Sequence, residues 1–260
     1  MSKEALLQRL DAIGRSVADT GHARALLALG SVGTEQDRLD AYSDLDFFVV
    51  VQDGYEVAYR ADLAWLRAVW PIGYCFQNTL HGYKLLFADG IYAEFAVFSE
   101  TELAQMTFPA ARIVWKAAGV ADSIRLPQRD TPPSPPRPPE ALLGELLTNL
   151  YVGVGRYRRG ERLSAARLIQ GYAVDRLVEL APHMATAETG HPDTFGPERR
   201  FEQRFPRVAQ ALPSFMQGYD RSPESAAALL TFVAQHWTVD PAIEQAIRAL
   251  LPDPLEGISP

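Results

Sequence analysis

The stretch Ser43-Asp44-Leu45-Asp46-Phe47-Phe48-Val49-Val50-Val51 places two acidic residues at the start of an apolar run. The run is short and rich in Val and Phe, which indicates a buried β-strand. Because side chains alternate along a strand, Asp44 and Asp46 are expected on one face and Leu45 and Phe47 on the other. Two carboxylates held this close repel each other unless a cation lies between them. Such a pair of hard oxygen ligands suits Mg²⁺, which binds one or two carboxylates together with substrate phosphates.

Two further motifs lie on either side of this strand. Gly30-Ser31 ends the apolar stretch 23–29, and Glu94 lies within a second apolar run, residues 91–98. A glycine lets the backbone approach a ligand closely, and a serine can donate its hydroxyl and amide to a phosphate, although an ordinary turn also explains the pair. Three acids on two strands that face one cleft indicate a metal-dependent phosphoryl- or nucleotidyl-transfer site.

The first 125 residues combine helical and strand patterns. Apolar spacing predicts helices over 5–17 and 55–70, the second ending before Pro71. Short strands are predicted at 74–80, 83–88 and 91–98, and Arg112–Lys116 is a candidate edge strand. Asp89-Gly90, between the last two of the three short strands, predicts a tight hairpin turn, and the sequence 99–102 predicts a capping box.

A proline-rich segment separates this region from the rest of the chain. Residues 126–139 contain seven prolines and are predicted to form a semi-rigid linker. Beyond it strand patterns disappear, and helices are predicted at 140–158, 161–182, 206–219, 223–237 and 241–251. The expected fold is therefore an α+β domain with a small mixed sheet and helices over 1–125, the linker, and an all-α helical bundle over 140–260.

Composition narrows the class of protein. The 260 residues carry a net charge of −7, which argues against a nucleic-acid partner. The sequence contains no apolar run long enough to cross a membrane and begins with an amphipathic segment in place of a signal peptide. The single cysteine, Cys75, fits a reducing compartment, so a cytoplasmic location without membrane association is expected.

Gly30-Ser31, Asp44-Leu45-Asp46 and Ala93-Glu94-Phe95 together resemble the pattern of the DNA-polymerase-β-like nucleotidyltransferase superfamily. Within that superfamily the chain is most similar to two-domain lincosamide nucleotidyltransferases, which modify antibiotics. The loop after Ser31 departs from the pattern because it has no basic residue before Arg38.

The resemblance implies an enzyme that transfers a nucleoside monophosphate, AMP in the first instance, from a nucleoside triphosphate to a hydroxyl and releases pyrophosphate. Asp44, Asp46 and Glu94 would be the catalytic and metal-binding residues for two Mg²⁺ ions, with Glu94 as the base or a ligand of the second ion. Gly30 and Ser31 would bind the nucleotide. The acceptor would be a lincosamide- or aminoglycoside-like small molecule, and homodimerisation stays open.

Two other functions remain open at this stage. A nucleotidyltransferase with the same fold could modify a protein, as in toxin–antitoxin pairs, and a catalytically silent relative could only bind nucleotide. Retention of three mutually repelling acids argues against the silent module, because such a module has no chemical need for them.

Overall fold

The chain divides into two compact units, Met1–Pro133 and Ser134–Pro260. The computed structural model describes residues 2–129, 137–188 and 196–251. Half of the predicted linker, residues 130–136, lies outside the described residues. The linker and its limits at 126 and 139 therefore stay predictions.

A six-stranded mixed sheet forms the centre of the first unit. Its strands are β1 (Ala23–Ala28), β2 (Leu45–Val51), β3 (Ile72–Gln77), β4 (Gly82–Phe87), β5 (Tyr92–Ser99) and β6 (Arg112–Lys116). Their order in the sheet is β3-β4-β5-β2-β1-β6, so the predicted edge strand at 112–116 is confirmed. Neighbouring strands are antiparallel except for the central pair β2 and β5, which is parallel.

Helix α1 (Lys3–Asp19) covers one face of this sheet. Its apolar residues Leu6, Leu10, Ile13 and Val17 are buried in one cluster with alternate residues of β2 and β5. Burial along β2 alternates over its first four residues, with Leu45 and Phe47 buried and Asp46 and Phe48 half-buried. The predicted alternation in this strand is therefore confirmed.

The opposite face of the sheet is covered over only part of its area. Val50, Ala96 and Phe98 belong to a second apolar cluster on this face, together with residues from the segment 103–111. Helix α4 (Glu100–Leu103) begins this covering segment and carries the predicted capping box between Ser99 and Glu102. Towards the amino-terminal ends of β2 and β5, the same face carries polar side chains that are half-buried.

The region predicted as one helix over 55–70 forms two short helices, α2 (Glu56–Ala61) and α3 (Ala64–Arg67). The helical path breaks at Asp62, which adopts an extended backbone conformation. The Asp62 carboxylate accepts a hydrogen bond from the Ala64 backbone N–H, so it caps the second helix. The prediction of one continuous helix was wrong. The apolar spacing continues across Asp62 although the helix does not, so the spacing could not reveal the break.

The hairpin between β4 and β5 is confirmed, but its register differs from the one expected for a two-residue turn. Lys84 pairs with Glu94 and Leu86 with Tyr92, which makes the loop three residues long, Ala88 to Gly90. Gly90 has φ +89°, the left-handed conformation that such a loop requires. A change of one residue in register exchanges the two faces of a strand.

An ion pair ties this hairpin to α1. The Arg9 guanidinium lies 2.5 Å from Asp89 Oδ2 and stacks over the rings of Trp70 and Phe87 at 4.7 and 4.6 Å. Burial alone would raise the pKa of Asp89, but its hydrogen bond with Arg9 and the attraction of that cation hold the pKa below its ordinary value. The Arg9 side chain is only 8% exposed, and Asp89 compensates for the cost of burying its positive charge.

The described part of the second unit is helical and contains no strand over 137–188 and 196–251. Its helices are α5 (Pro139–Arg158), α6 (Arg162–Ala166), α7 (Val174–Met184), α8 (Phe201–Arg204), α9 (Pro206–Ala209), α10 (Leu212–Phe215), α11 (Ser222–His236) and α12 (Pro241–Leu250). The predicted helix over 206–219 is wrong, because α9 and α10 are separate short turns. The predicted fold class, an α+β region with a mixed sheet followed by an all-helical region, is confirmed.

A π-helical segment, Arg167–Ala173, joins α6 to α7. It packs against α5, where Gly153 leaves room for Ile169: a Cβ at Gly153 would lie 2.5 Å from Ile169 Cγ1. Ile169 is fully buried in the core of this unit. None of the helices in the described ranges is long and apolar enough to cross a membrane.

The contribution of the Arg9–Asp89 pair can be measured with Asp89→Asn. We expect the free energy of unfolding at neutral pH to fall by about 1–3 kcal/mol, because a buried guanidinium loses its charged partner. The folded-state pKa of Asp89 is lowered, so its contribution is complete above the unfolded-state pKa and is lost as the pH falls through the folded-state value. Urea unfolding should therefore show a difference between the two proteins that shrinks below about pH 4.

Asp62→Asn is the matched control, because Asp62 pairs with Arg67, which is 55% exposed. Its effect should stay within about 0.5 kcal/mol. Equal losses in Asp89→Asn and Asp62→Asn would contradict the proposed role of the buried pair.

Candidate active site

Asp46 and Glu94 are direct neighbours across the parallel pair β2 and β5. Adjacent strands lie about 4.8 Å apart, and paired residues project from the same face of a sheet. Both side chains are half-buried on the incompletely covered face. The fold thus brings together two acids that are 48 positions apart in the sequence.

Asp44 immediately precedes β2 and is also half-buried. The next residue, Leu45, is fully buried on the opposite face and pairs with Ala93. The backbone therefore brings Asp44 to the amino-terminal end of the strand, two positions before Asp46.

Glu94 accepts hydrogen bonds from two neighbours on the same face. Lys84 Nζ lies 2.8 Å and the Tyr92 hydroxyl 2.9 Å from Glu94 Oε1. The pKa of Lys84 is raised, first by the hydrogen bond of Lys84 to Glu94 and then by the attraction of that carboxylate. Burial, followed by the hydrogen bond to Glu94, raises the pKa of Tyr92. Two donors on a single oxygen hold the carboxylate in one orientation.

Gly30 lies beside the Asp46 carboxylate, at the start of the 3₁₀ turn Gly30–Val32. It has φ +54°, and a Cβ at this position would lie 3.4 Å from Asp46 Oδ2. The preceding Leu29 N–H donates a 2.8 Å hydrogen bond to the Asp46 carbonyl, which fixes the turn against β2. Ser31 is half-buried in the same turn. The turn thus carries both predicted nucleotide-binding residues next to one of the predicted metal ligands.

Gly33 closes this turn tightly against β1. A Cβ at Gly33 would lie 2.7 Å from the Ala28 carbonyl oxygen, so a larger residue would displace the backbone. Its N–H donates to the Gly30 carbonyl at 3.1 Å.

Basic side chains near the turn come from the loop that follows it and from strand β6. Arg38, which pairs with Glu35, places Nη2 3.9 Å from the position of a Cβ at Gly30. Arg112 and Lys116 help to line a cleft of about 570 Å³ that also includes Gly33. Sequence patterns alone could not locate Arg112 and Lys116 here, because only the pairing of β6 with β1 brings them to this turn.

The sequence interpretation also missed Tyr92 and the partner of Lys84. The spacing of two between Tyr92 and Glu94 is a signal that could have identified Tyr92, because residues i and i+2 share a face of a strand. Lys84 could be assigned to Glu94 only with the three-residue hairpin register.

No group of three or more His, Cys, Asp and Glu side chains in the described part of the chain is close enough to hold a metal ion. Glu94 bonds to Lys84 and Tyr92, and its membership of a three-acid metal set with Asp44 and Asp46 stays a prediction. Asp44 and Asp46 still fit the donor chemistry of Mg²⁺, which commonly takes one or two carboxylates and completes its shell with phosphates and water.

Comparisons with protein-family models and with curated proteins return no match. Two solved structures are similar over most of the chain. An aminoglycoside 6-adenyltransferase from Bacillus subtilis has 14% identity and a TM-score of 0.34, with 96% of this chain and 92% of that chain covered. The CCA-adding enzyme of Thermotoga maritima, complexed with tRNA, has 12% identity and a TM-score of 0.35, with 95% and 72% covered. The expected likeness to lincosamide nucleotidyltransferases stays a prediction.

Gly30→Ala tests whether the turn at Asp46 serves nucleotide binding. We expect the affinity for Mg²⁺·ATP, measured by calorimetry, to fall by about 10-fold or more, because the added methyl group occupies the space beside the Asp46 carboxylate. Some stability should also be lost, about 1–2 kcal/mol, because the residue has positive φ.

Gly54→Ala is the matched control. Gly54 also has positive φ, but no described atom lies within 4 Å of a Cβ placed there. This variant should lose stability without losing affinity. Equal nucleotide affinities in the two variants would mean that Gly30 serves the turn alone.

Proposed function

We propose that this chain is a Mg²⁺-dependent nucleotidyltransferase that moves a nucleoside monophosphate, AMP in the first instance, from a nucleoside triphosphate to a hydroxyl of a small molecule. The observation that carries this proposal is the pairing of Asp46 with Glu94 across β2 and β5, with the positive-φ turn at Gly30 against the Asp46 carboxylate. A lincosamide- or aminoglycoside-like antibiotic is the proposed class of acceptor.

Asp44 and Asp46 are the proposed ligands for Mg²⁺, and two ions are proposed for the site. When bound, Mg²⁺ would neutralise the charge that develops on the phosphate oxygens during transfer. Before the metal binds, the two carboxylates repel each other, which gives the site an affinity for a cation.

Gly30 and Ser31 are proposed to bind the triphosphate. The absence of a Cβ at Gly30 leaves the surface next to Asp46 Oδ2 accessible to a phosphate oxygen. Arg38, which pairs with Glu35, lies at the same turn, and its guanidinium is proposed to donate hydrogen bonds to the phosphates.

Glu94 is proposed to accept the proton of the acceptor hydroxyl. The oxygen of that hydroxyl forms a bond to the α-phosphorus, the bond to pyrophosphate breaks, and the proton passes to the carboxylate. Lys84 and Tyr92 orient the carboxylate for this transfer through their hydrogen bonds to Oε1. Orientation by neighbouring groups contributes to catalysis because the base must lie within hydrogen-bonding distance of the proton.

Glu94→Gln separates proton acceptance from nucleotide binding. We expect pyrophosphate release with an acceptor present to fall by about 10²–10⁴-fold, because the amide cannot take the proton. Affinity for Mg²⁺·ATP, measured by calorimetry, should change little. Glu100→Gln is the control, since Glu100 lies beyond the end of β5 and pairs with Arg24. Unchanged turnover in Glu94→Gln would refute the role of Glu94.

Asp44→Ala and Asp46→Ala test the metal-binding pair. Each substitution should remove most of the activity and most of the Mg²⁺ dependence of ATP binding, and the double variant should be little worse than either single one, because both residues serve one ion-binding unit. Near-normal turnover of Asp44→Ala with Mg²⁺ present would contradict the assignment. No binding of Mg²⁺·ATP to the wild-type protein would overturn the proposed function.

A further inference from the structure

Three apolar side chains are exposed on the incompletely covered face of the sheet, next to the candidate site. They are Tyr74 and Phe76 on β3, which are 59% and 44% exposed, and Leu86 on β4, which is 38% exposed. The rings of Tyr74 and Phe76 lie 5.9 Å apart between centroids. We call these three residues the aromatic surface.

Strand register connects the aromatic surface to Glu94. Phe76 pairs with Lys84, and Lys84 pairs with Glu94, so the three residues form one row across β3, β4 and β5. In the next row, Tyr74 pairs with Leu86 and Leu86 with Tyr92. Paired residues share a face, and β3 lies about 10 Å from β5 at two strand spacings. The aromatic surface therefore extends from Glu94 along the same face of the sheet.

The two sides of Glu94 differ in character. On the side of β2 and β1 lie Asp46, the turn at Gly30 and Arg38. On the side of β4 and β3 lie Lys84 and the aromatic surface. If the triphosphate occupies the first side, as in the proposed function, an acceptor whose hydroxyl reaches Glu94 must extend over the second.

Resting on that proposed function, we infer that the aromatic surface binds the acceptor and selects an amphipathic molecule that lays an apolar or planar face on Tyr74, Phe76 and Leu86. Aromatic rings bind the apolar faces of sugars and rings through dispersion and hydrophobic contact. The three side chains carry no charge, and the adjacent Lys84 is a cation that is already paired with Glu94. A polycationic acceptor finds no carboxylate among these three residues, so the surface offers its charges no partner.

The experiment compares the wild-type protein with the double variant Tyr74→Thr/Phe76→Thr. Threonine keeps the β-propensity of an edge strand while it removes both rings, so the fold should be retained. The probes are lincomycin, an amphipathic acceptor with one basic amine, and kanamycin, a polycation. Binding is measured by calorimetry in the presence of Mg²⁺ and a non-hydrolysable ATP analogue, and transfer is measured with radiolabelled ATP.

We expect the wild-type protein to bind lincomycin more tightly than kanamycin. In the double variant, KM and Kd for lincomycin should rise by about 10-fold or more, whereas the affinity for Mg²⁺·ATP and kcat at saturating acceptor should stay unchanged. Val57→Ser is the control, because Val57 is an exposed apolar residue, 67% exposed, that belongs to α2 and to neither β3 nor β4. It should leave all four quantities unchanged.

Several results would overturn the inference. The inference fails, and the proposed function stands, in three cases. The wild type and the double variant bind lincomycin equally well, or the wild type binds kanamycin more tightly than lincomycin. The third case is a wild-type protein that binds Mg²⁺·ATP but does not bind lincomycin. Weaker ATP binding in the double variant would assign the surface to the nucleobase. If the wild-type protein sediments as a dimer and the double variant as a monomer, the aromatic surface binds a second copy of this chain instead. A wild-type protein that binds no Mg²⁺·ATP would instead overturn the proposed function.

Discussion

The parallel pairing of β2 with β5 is the interaction on which the candidate site depends. It sets Asp46 directly beside Glu94, although two like charges at one strand spacing repel each other. The hydrogen bonds of Glu94 with Lys84 and Tyr92 offset part of that repulsion from the other side. An apolar covering layer over these groups would remove their hydration, which is costly for charged side chains. The segment 103–111 can therefore pack over Val50 and Phe98, whereas the acids stay uncovered by an apolar layer.

This requirement explains why one face of the sheet changes character along its length. Within β5, the same face passes from Glu94 to the buried residues Ala96 and Phe98 in four positions. The site is thus built on strands whose other ends are fixed in apolar clusters. Side chains carried by such strands keep their positions better than those on loops, which favours a site that must hold reacting groups in one geometry.

Two contacts outside the site hold its edges in place. The Arg9–Asp89 pair fixes the turn of the hairpin that carries both Lys84 and Glu94. On the other side, the Leu29 N–H bonds to the Asp46 carbonyl and fixes the turn at Gly30. If either contact were lost, the hairpin that carries Lys84 and Glu94 could move relative to the turn at Gly30. The proposed function assigns these two parts to the acceptor and to the nucleotide.

The sequence by itself determined the local features of this protein. Alternation along 43–51 assigned Asp44 and Asp46 to one face, and the loss of strand patterns beyond 140 predicted the helical region, because both depend on short periodic patterns. Only the tertiary structure decided that Glu94 lies beside Asp46 and opposite Lys84. The contact with Asp46 depends on a parallel strand pairing between residues 48 positions apart. The contact with Lys84 depends on a hairpin register that differs by one residue from the expected one. Sequence periodicity cannot fix such registers, because strand pairing depends on contacts between residues far apart in the chain.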